Sequence, residues 1–235
     1  MSQRGALVTG ASKGIGRAIA GRLLDTGWRV IGLSRTAPED LLDHDGYHHT
    51  YADLLDPGAL QAALDEILAS EAGLDTLVNC AGAGWFGSLE QHSPRHVLDI
   101  LQLNLNAPIL ITRKLLPAFK TRKRGDLLFI GSETALRGGR YGTVYTAAKT
   151  GLRGFTRALR EETASAGIRV MLINPGMVRS NFYDHTHFTP GKHDDNAIKP
   201  KQVADTVLLA LDSARNCVID EINLTPLKRV VEKKG

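Results

Sequence analysis

Thr9-Gly10-Ala11-Ser12-Lys13-Gly14-Ile15-Gly16 follows the apolar run Ala6-Leu7-Val8 and leads into Ile15, Ala18, Ile19 and Leu23, which recur at spacings of 3, 1 and 4. The first run reads as a buried strand and the second as one face of a helix. Glycines at a strand-to-helix turn allow a tight bend. They also let backbone N–H groups approach an anion at the helix N-terminus, where the dipole favours negative charge. The spacing, Gly-x3-Gly-x-Gly, departs from the GxGxxG dinucleotide fingerprint, and a glycine cluster alone is only a turn. Between the first strand and the first helix of an alternating pattern, it reads as a dinucleotide-binding loop.

The rest of the chain supplies that pattern. Strand-like runs stand at Trp28 to Leu33, Tyr47 to Ala52, Asp75 to Asn79, Asp126 to Ile130, Ile168 to Asn174 and Cys217 to Ile222. Between them lie helical stretches at about Asp56 to Ala72, Asn104 to Lys120, Thr143 to Ala166 and Lys201 to Asp212. Such βαβ alternation predicts a parallel sheet covered by helices on both faces, and right-handed crossovers favour the doubly wound topology. The expectation is an α/β chain: one Rossmann-fold domain over residues 1–235, with a seven-stranded parallel sheet.

Composition narrows the function classes. At 235 residues the chain fits one large domain. Its 43% hydrophobic and 23% charged residues describe an ordinary globular protein. A formal charge of +4 is too mild to argue for nucleic acid. Cys80 and Cys217 lie far apart, suggest neither a disulfide framework nor a zinc site, and suit a reducing compartment. No apolar stretch approaches a membrane span, and the N-terminus does not read as a signal peptide. The expectation is a cytoplasmic protein with no membrane or nucleic-acid partner.

The loop Thr9 to Gly16 resembles the TGxxxGxG signature of the short-chain dehydrogenase/reductase family. Four further matches stand in order: Asn79-Cys80-Ala81-Gly82, Asn104 in Leu103-Asn104-Leu105, Ser132 followed by Tyr145 and Lys149, and Asn174-Pro175-Gly176. The resemblance covers Thr9 to Gly176. It implies a nicotinamide-dependent oxidoreductase acting on a carbonyl or alcohol, with Asn104, Ser132, Tyr145 and Lys149 as the catalytic set and no metal.

The residues support that chemistry on their own terms. Tyr145 and Lys149 are i and i+4, so they project from one side of a helix. An ammonium beside a phenol favours the phenolate. Bringing the phenol near neutrality takes roughly 3–4 kcal/mol, about what one charge at ~4 Å supplies at an effective dielectric near 20. Tyr145 is then expected to exchange a proton with the substrate oxygen during hydride transfer, with Ser132 holding that oxygen. By resemblance, Lys149 also binds the nicotinamide ribose, and Asn104 anchors a water that relays protons.

The end of the second strand reads Leu33-Ser34-Arg35-Thr36, without the carboxylate that would grip an adenine ribose 2′-OH. Arg35 suits a 2′-phosphate instead, and Lys13 is a second cation for it, so NADP(H) is the expected cofactor. The resemblance places further cofactor contacts at Gly10, Ser12, Gly14, Ile15, Gly16, Asp53, Leu54, Asn79, Ala81, Gly82, Tyr145, Lys149, Pro175, Gly176, Val178 and Ser180. Asp53 is expected to bond the adenine amino group. Ser180 stands where the family usually has a Thr.

Substrate choice is expected in three loops, Ala83 to Leu89, Glu133 to Thr143, and Met177 to Pro200, the last read as a lid over residues 177–200. Arg137 and Arg140 either meet a substrate carboxylate or phosphate, or face solvent or an interface. His185 and His187, spaced i, i+2 without a clear third ligand, do not make a metal site. Lys228-Arg229 and Lys233-Lys234 read as a frayed, solvated tail. Val218 to Asn223 lacks the Gly-Gly pair common in oxoacyl-thioester reductases of the family and looks more like the group acting on small 3-hydroxy acids. By resemblance, a homodimer or homotetramer forms through the helices carrying Asn104 and Tyr145. The alternatives are a non-catalytic NADP-binding sensor and a 3-oxoacyl-thioester reductase. The epimerase and dehydratase branch, with a different loop spacing and longer chains, fits less well.

Overall fold

Residues of alternating parity along each apolar run go to opposite faces of one sheet. The computed structural model describes residues 3–70 and 73–234. In chain order the elements are β1 (Gly5–Thr9), α1 (Gly14–Leu24), β2 (Arg29–Ser34), β3 (Tyr47–Tyr51), α2 (Pro57–Ser70), β4 (Leu74–Asn79), α3 (Pro94–Leu101) and α4 (Ala107–Arg122). There follow β5 (Gly125–Ile130), α5 (Thr134–Arg137), α6 (Thr143–Thr163), β6 (Ile168–Pro175), β7 (Phe188–Pro190), α7 (Pro200–Asp212), β8 (Glu221–Leu224) and β9 (Val231–Lys233).

Seven strands form one parallel sheet in the order β3-β2-β1-β4-β5-β6-β8. Ala6, Val8, Val30, Val78, Leu128, Ile130, Met171 and Ile173 face α1 and α7, with Ile19, Leu23, Val203 and Val207 packed on them. Leu7, Ile31, Leu33, Leu77, Leu127, Phe129, Val170 and Leu172 face α2, α4 and α6, packed by Leu60, Leu64, Ile111, Leu115 and Leu152. Strands buried on both faces need continuous apolar runs, which is why these stretches lack polar alternation. The strand order reverses between β1 and β4, and a ligand crevice is expected at the carboxyl ends of those strands.

The opposite end of the sheet is tied by charge. Asp126 near the start of β5 accepts both arms of the Arg169 guanidinium, at 2.7 and 2.8 Å, with both side chains buried. Arg215 and Arg4 reach the same carboxylate at 2.6 and 3.1 Å. Arg4 also lies over the Trp28 ring, 3.6 Å from its centroid.

Several expected boundaries move. The last sheet strand begins at Glu221 rather than Cys217, so Cys217 to Asp220 precede it. The stretch expected to be helical from Asn104 opens with a π-helical turn over Gln102–Asn106 before α4 begins. The expected helix end at Ala72 lies outside the described residues. The C-terminus is not a frayed tail: β9 pairs antiparallel with β7, Gly191 donates to the Val230 carbonyl and Lys234 to the His187 carbonyl, both at 3.0 Å. Its charged residues mask a backbone ladder that composition does not reveal. Among the described residues, no helix is long and apolar enough to cross a membrane.

Candidate functional site

The turn after β1 is built by contact as well as by glycine. Gly10 has φ +69°, and a Cβ there would stand 2.8 Å from the Ala81 Cα, so β1 and β4 end side by side. Thr9 Oγ1 locks that approach by accepting from the Cys80 and Ala81 N–H groups, both at 3.0 Å. Gly16 lets the first turn of α1 lie against the loop, since a Cβ would fall 2.2 Å from the Gly10 carbonyl oxygen. Gly14, with φ +60°, lies against Ser180: a Cβ there would be in van der Waals contact with the Ser180 Cβ at 3.6 Å.

These elements border a cavity of about 870 Å³ at the carboxyl ends of the central strands. No side chain caps the N-terminus of α1, whose first turn also lacks an acid, so its N–H donors are left for an anion. Lys13 and Arg35 line the cavity, and neither has an ion-pair partner among the described residues. A cradle emptied of Cβ atoms, an uncapped helix and two unpaired cations fit a dinucleotide carrying an extra phosphate.

The remaining expected residues fall mostly on the same cavity. Ser12, Ile15, Asp53, Leu54, Gly82, Ser132, Tyr145, Lys149, Pro175, Gly176, Val178 and Ser180 all line it. Asp53 Oδ1 also accepts from the Leu55 N–H at 3.0 Å. Asn79 does not line the cavity: it is buried beneath, and its Nδ2 donates to Thr112 Oγ1 at 3.3 Å. Asn104 is also fully buried. Its Nδ2 donates to the Ala83 and Ile100 carbonyls at 3.0 Å, while its Oδ1 has no partner. That oxygen and Lys149 Nζ lie 2.8 and 3.6 Å from the point a Gly82 Cβ would occupy. The π-helical turn carries Asn104 there, a distortion of the kind that recurs at functional sites.

Ser132 follows β5, and its Oγ accepts from the Thr134 N–H and hydroxyl at 3.2 and 3.1 Å. Tyr145 and Lys149 rise from the start of α6, both buried. Burial pushes the Tyr145 phenol above its usual range, a hydrogen bond with Ser132 pulls it down, and nearby Tyr183 pushes it up. Burial also lowers Lys149 to about 8, against a smaller upward pull from Cys80. The expected lowering of the tyrosine by the lysine is therefore overturned in this state. Desolvation penalises both charged forms, and Lys149 Nζ donates to the Ile130 carbonyl at 3.0 Å.

The three expected substrate loops do meet here. Trp85 and Phe86, Glu133, Thr134 and Arg137 to Arg140, and Met177, Asn181 to Tyr183, His185 and Phe188 line the cavity. The 177–200 loop is pinned at its base by a bridge between Val178 and Ile198. Arg137 pairs with Glu133 at 3.2 Å, and Arg140 bonds the Tyr141 hydroxyl. Sequence reading missed Arg229, two residues before β9, and Val231 at its start, which line the cavity. The β-branched pair Val230-Val231 was the one signal that a strand lies there.

Comparison with known proteins agrees with this geometry. Over 180 residues, 75% of this chain and 74% of the relative, the chain is 34% identical to the 3-oxoacyl-[acyl-carrier-protein] reductase FabG of Escherichia coli (strain K12). It is 32% identical to carbonyl reductase family member 4 of Danio rerio, over 88% of this chain and 91% of that one. A crystal structure of a metagenomic short-chain oxidoreductase in complex with NADP superposes with a TM-score of 0.81 at 32% identity, over 95% and 96% of the two chains. Residues 4–187 match the family model described as short chain dehydrogenase. The chain belongs to the short-chain dehydrogenase family and is an oxidoreductase of it.

Proposed function

We propose that the chain reduces a carbonyl compound, or oxidises the corresponding secondary alcohol, with NADP(H) as the hydride carrier. The observation that carries the cofactor choice is the pair Lys13 and Arg35, both on the cavity and both without a carboxylate partner among the described residues. A guanidinium fork matches a phosphate, whereas an acid at the end of β2 would repel it. The relative crystallised with NADP supports the same choice.

The bound nicotinamide supplies or accepts the hydride. Tyr145 gives its phenolic proton to the substrate oxygen in reduction and takes it back in oxidation. A buried phenol held neutral is the form that reduction requires. Ser132 donates to the same oxygen and orients it. Lys149 holds the ribose hydroxyls and stands next to receive or return the proton. Asn104 Oδ1, unpartnered and facing Lys149 across Gly82, suits a water that completes the relay. The remaining cavity residues of the expected set contact the cofactor, with Asn79 shaping the floor from below. The loop 177–200 acts as the lid.

The reading further includes a homodimer or homotetramer through α4 and α6, and a cytoplasmic location suited to two free cysteines. A 3-oxoacyl thioester is a second substrate reading, favoured by the similarity to the Escherichia coli reductase. Fluorescence titration of NADPH and NADH into wild type and Arg35→Ala tests the cofactor reading. The substitution is expected to weaken NADPH by roughly 10- to 100-fold, equivalent to about 1.5–3 kcal/mol, with little effect on NADH. Equal affinities insensitive to Arg35 would overturn it.

A further inference from the structure

The substrate half of the cavity has two features that the proton and hydride chemistry leaves unused. Its wall around Tyr145 is made of rings. Phe86 and Phe182 pack on the Tyr145 ring at centroid distances of 5.7 and 5.8 Å and edge-on against each other at 6.1 Å. Phe188 closes on Phe86 edge-on at 5.0 Å. A group attached to the reacting carbon therefore meets aromatic faces and edges, which favour a flat apolar ring in offset or edge contact.

The other feature is charge. Away from the glycine loop and the ends of β2 and β3, the charged residues on the cavity besides Lys149 are Glu133, Arg137, Arg140 and Arg229. Glu133 Oε2 is shared by Arg137 Nη2 and Arg229 Nη2, each at 3.2 Å. Arg140 lies 4.8 Å from the Tyr141 ring centroid, bonds its hydroxyl, and has no carboxylate partner among the described residues. One carboxylate thus stands among three guanidinium groups and pairs with two of them. A 2′-phosphate does not account for the excess. Arg35 follows β2, whereas Glu133 to Arg140 follow β5, with β1 and β4 between them, a lateral separation of roughly 14 Å.

Arg229, two residues before β9, is held in place by the backbone bonds of its neighbours. On one side of it Lys228 donates its N–H to the Asp195 carbonyl at 2.9 Å, and on the other the Val230 carbonyl accepts from Gly191 at 3.0 Å. The family-model match ends at residue 187, before β7 and β9.

We infer that the substrate is an aryl ketone or aldehyde whose ring packs against the Phe86–Phe182 pair and whose far end carries a carboxylate, with Arg229 as the specificity-determining residue that meets it. The inference rests on the oxidoreductase reading above. The guanidinium fork of Arg229 turns from Glu133 to the substrate carboxylate, and Arg137 keeps Glu133 paired. Carboxylated and neutral members of the same aryl ketone pair are then separated by charge at the rim while sharing the aromatic wall.

The test uses matched aryl ketones with and without a ring carboxylate, beside a short linear 3-oxoacyl thioester. Each is measured for binding to the enzyme–NADP⁺ complex by calorimetry and for NADPH-dependent turnover. Wild type, Arg229→Gln and Arg229→Lys are compared. In wild type the carboxylated ketone is expected to exceed its neutral partner at least tenfold in kcat/KM, mainly through KM, with the ratio shrinking as salt rises. Arg229→Gln is expected to bring the ratio near one, and Arg229→Lys to restore part of it, which a merely structural contact would not do. Equal treatment of the pair by wild type, an undiminished ratio in Arg229→Gln, preference for the linear thioester, or no binding of either ring ketone would overturn the inference. Absence of NADPH binding would instead overturn the reading on which it rests.

Discussion

Lys149 Nζ stands 5.7 Å from the centre of the Tyr145 ring, one helical turn along α6, and donates to the Ile130 carbonyl rather than to the phenol. Both side chains are buried, and neither charge is welcome there. Burial lowers Lys149 to about 8 and pushes Tyr145 up. The ammonium is thus held at a disadvantage until a ligand arrives to pair with it.

This disadvantage predicts a stability gain on removing the charge. Lowering a lysine from 10.5 to about 8 corresponds to about 3 kcal/mol below the folded value. Losing the hydrogen bond to Ile130 returns roughly 1–2 kcal/mol of that. Lys149→Met without cofactor is therefore expected to melt several degrees above wild type at pH 7. Between pH 8 and about 10.5 the unfolded chain holds a proton that the folded one has released. Wild-type stability therefore rises with pH over that window and the gap closes. Melting curves of both proteins at pH 7 and pH 10 check this, and a gap independent of pH would show that Lys149 is not lowered.

Tyr145→Phe separates proton transfer from binding. It removes only the hydroxyl, and the aromatic contacts with Phe86 and Phe182 remain available. Turnover of a reducible ketone is expected to fall by roughly 10²- to 10⁴-fold, with NADPH affinity within a few-fold of wild type. Steady-state rates and NADPH titration on one preparation measure both. Retained turnover would remove Tyr145 from the mechanism.

Two glycines of α1 make opposite predictions. A Cβ at Gly16 would stand 2.2 Å from the Gly10 carbonyl oxygen, whereas one at Gly21 would meet nothing within 4 Å. Gly16→Ala must displace the loop, so NADPH affinity is expected to fall at least 100-fold. Gly21→Ala is expected to raise stability by about 0.5–1 kcal/mol with binding intact. Urea denaturation and NADPH titration on the two variants check the pair.

The difference between what sequence disclosed and what it hid follows from the range of each interaction. Ala6-Leu7-Val8 and Leu127-Leu128-Phe129 advertise strands because every residue is buried on one face or the other. Tyr145 and Lys149 declare their shared side of α6 through a spacing of four. The placement of Asn104 depends on one π-helical turn, which no local spacing marks. β9 spans three residues, too few for periodicity, and finds β7 some forty residues earlier in the chain. Arg229 read as tail for that reason. The expected lowering of the Tyr145 phenol failed because desolvation depends on everything packed around it, while the charge pairing depends on one neighbour.

Asp126 carries the last prediction, at the end of the sheet remote from the cavity. Its carboxylate pairs both arms of buried Arg169 and is reached by Arg4 and Arg215. Asp126→Ala leaves the Arg169 guanidinium buried, with only the Leu211 and Ser213 oxygens to accept from it. Removing one partner of a buried pair strands the other charge, which costs roughly 3–5 kcal/mol. The urea midpoint is expected to drop accordingly, while NADPH affinity of the protein that remains folded stays near wild type. Replacing Asp126 and Arg169 together by apolar residues is expected to recover much of the loss, because no charge is then left without its partner. A double variant no better than Asp126→Ala would locate the loss in packing rather than in the stranded guanidinium.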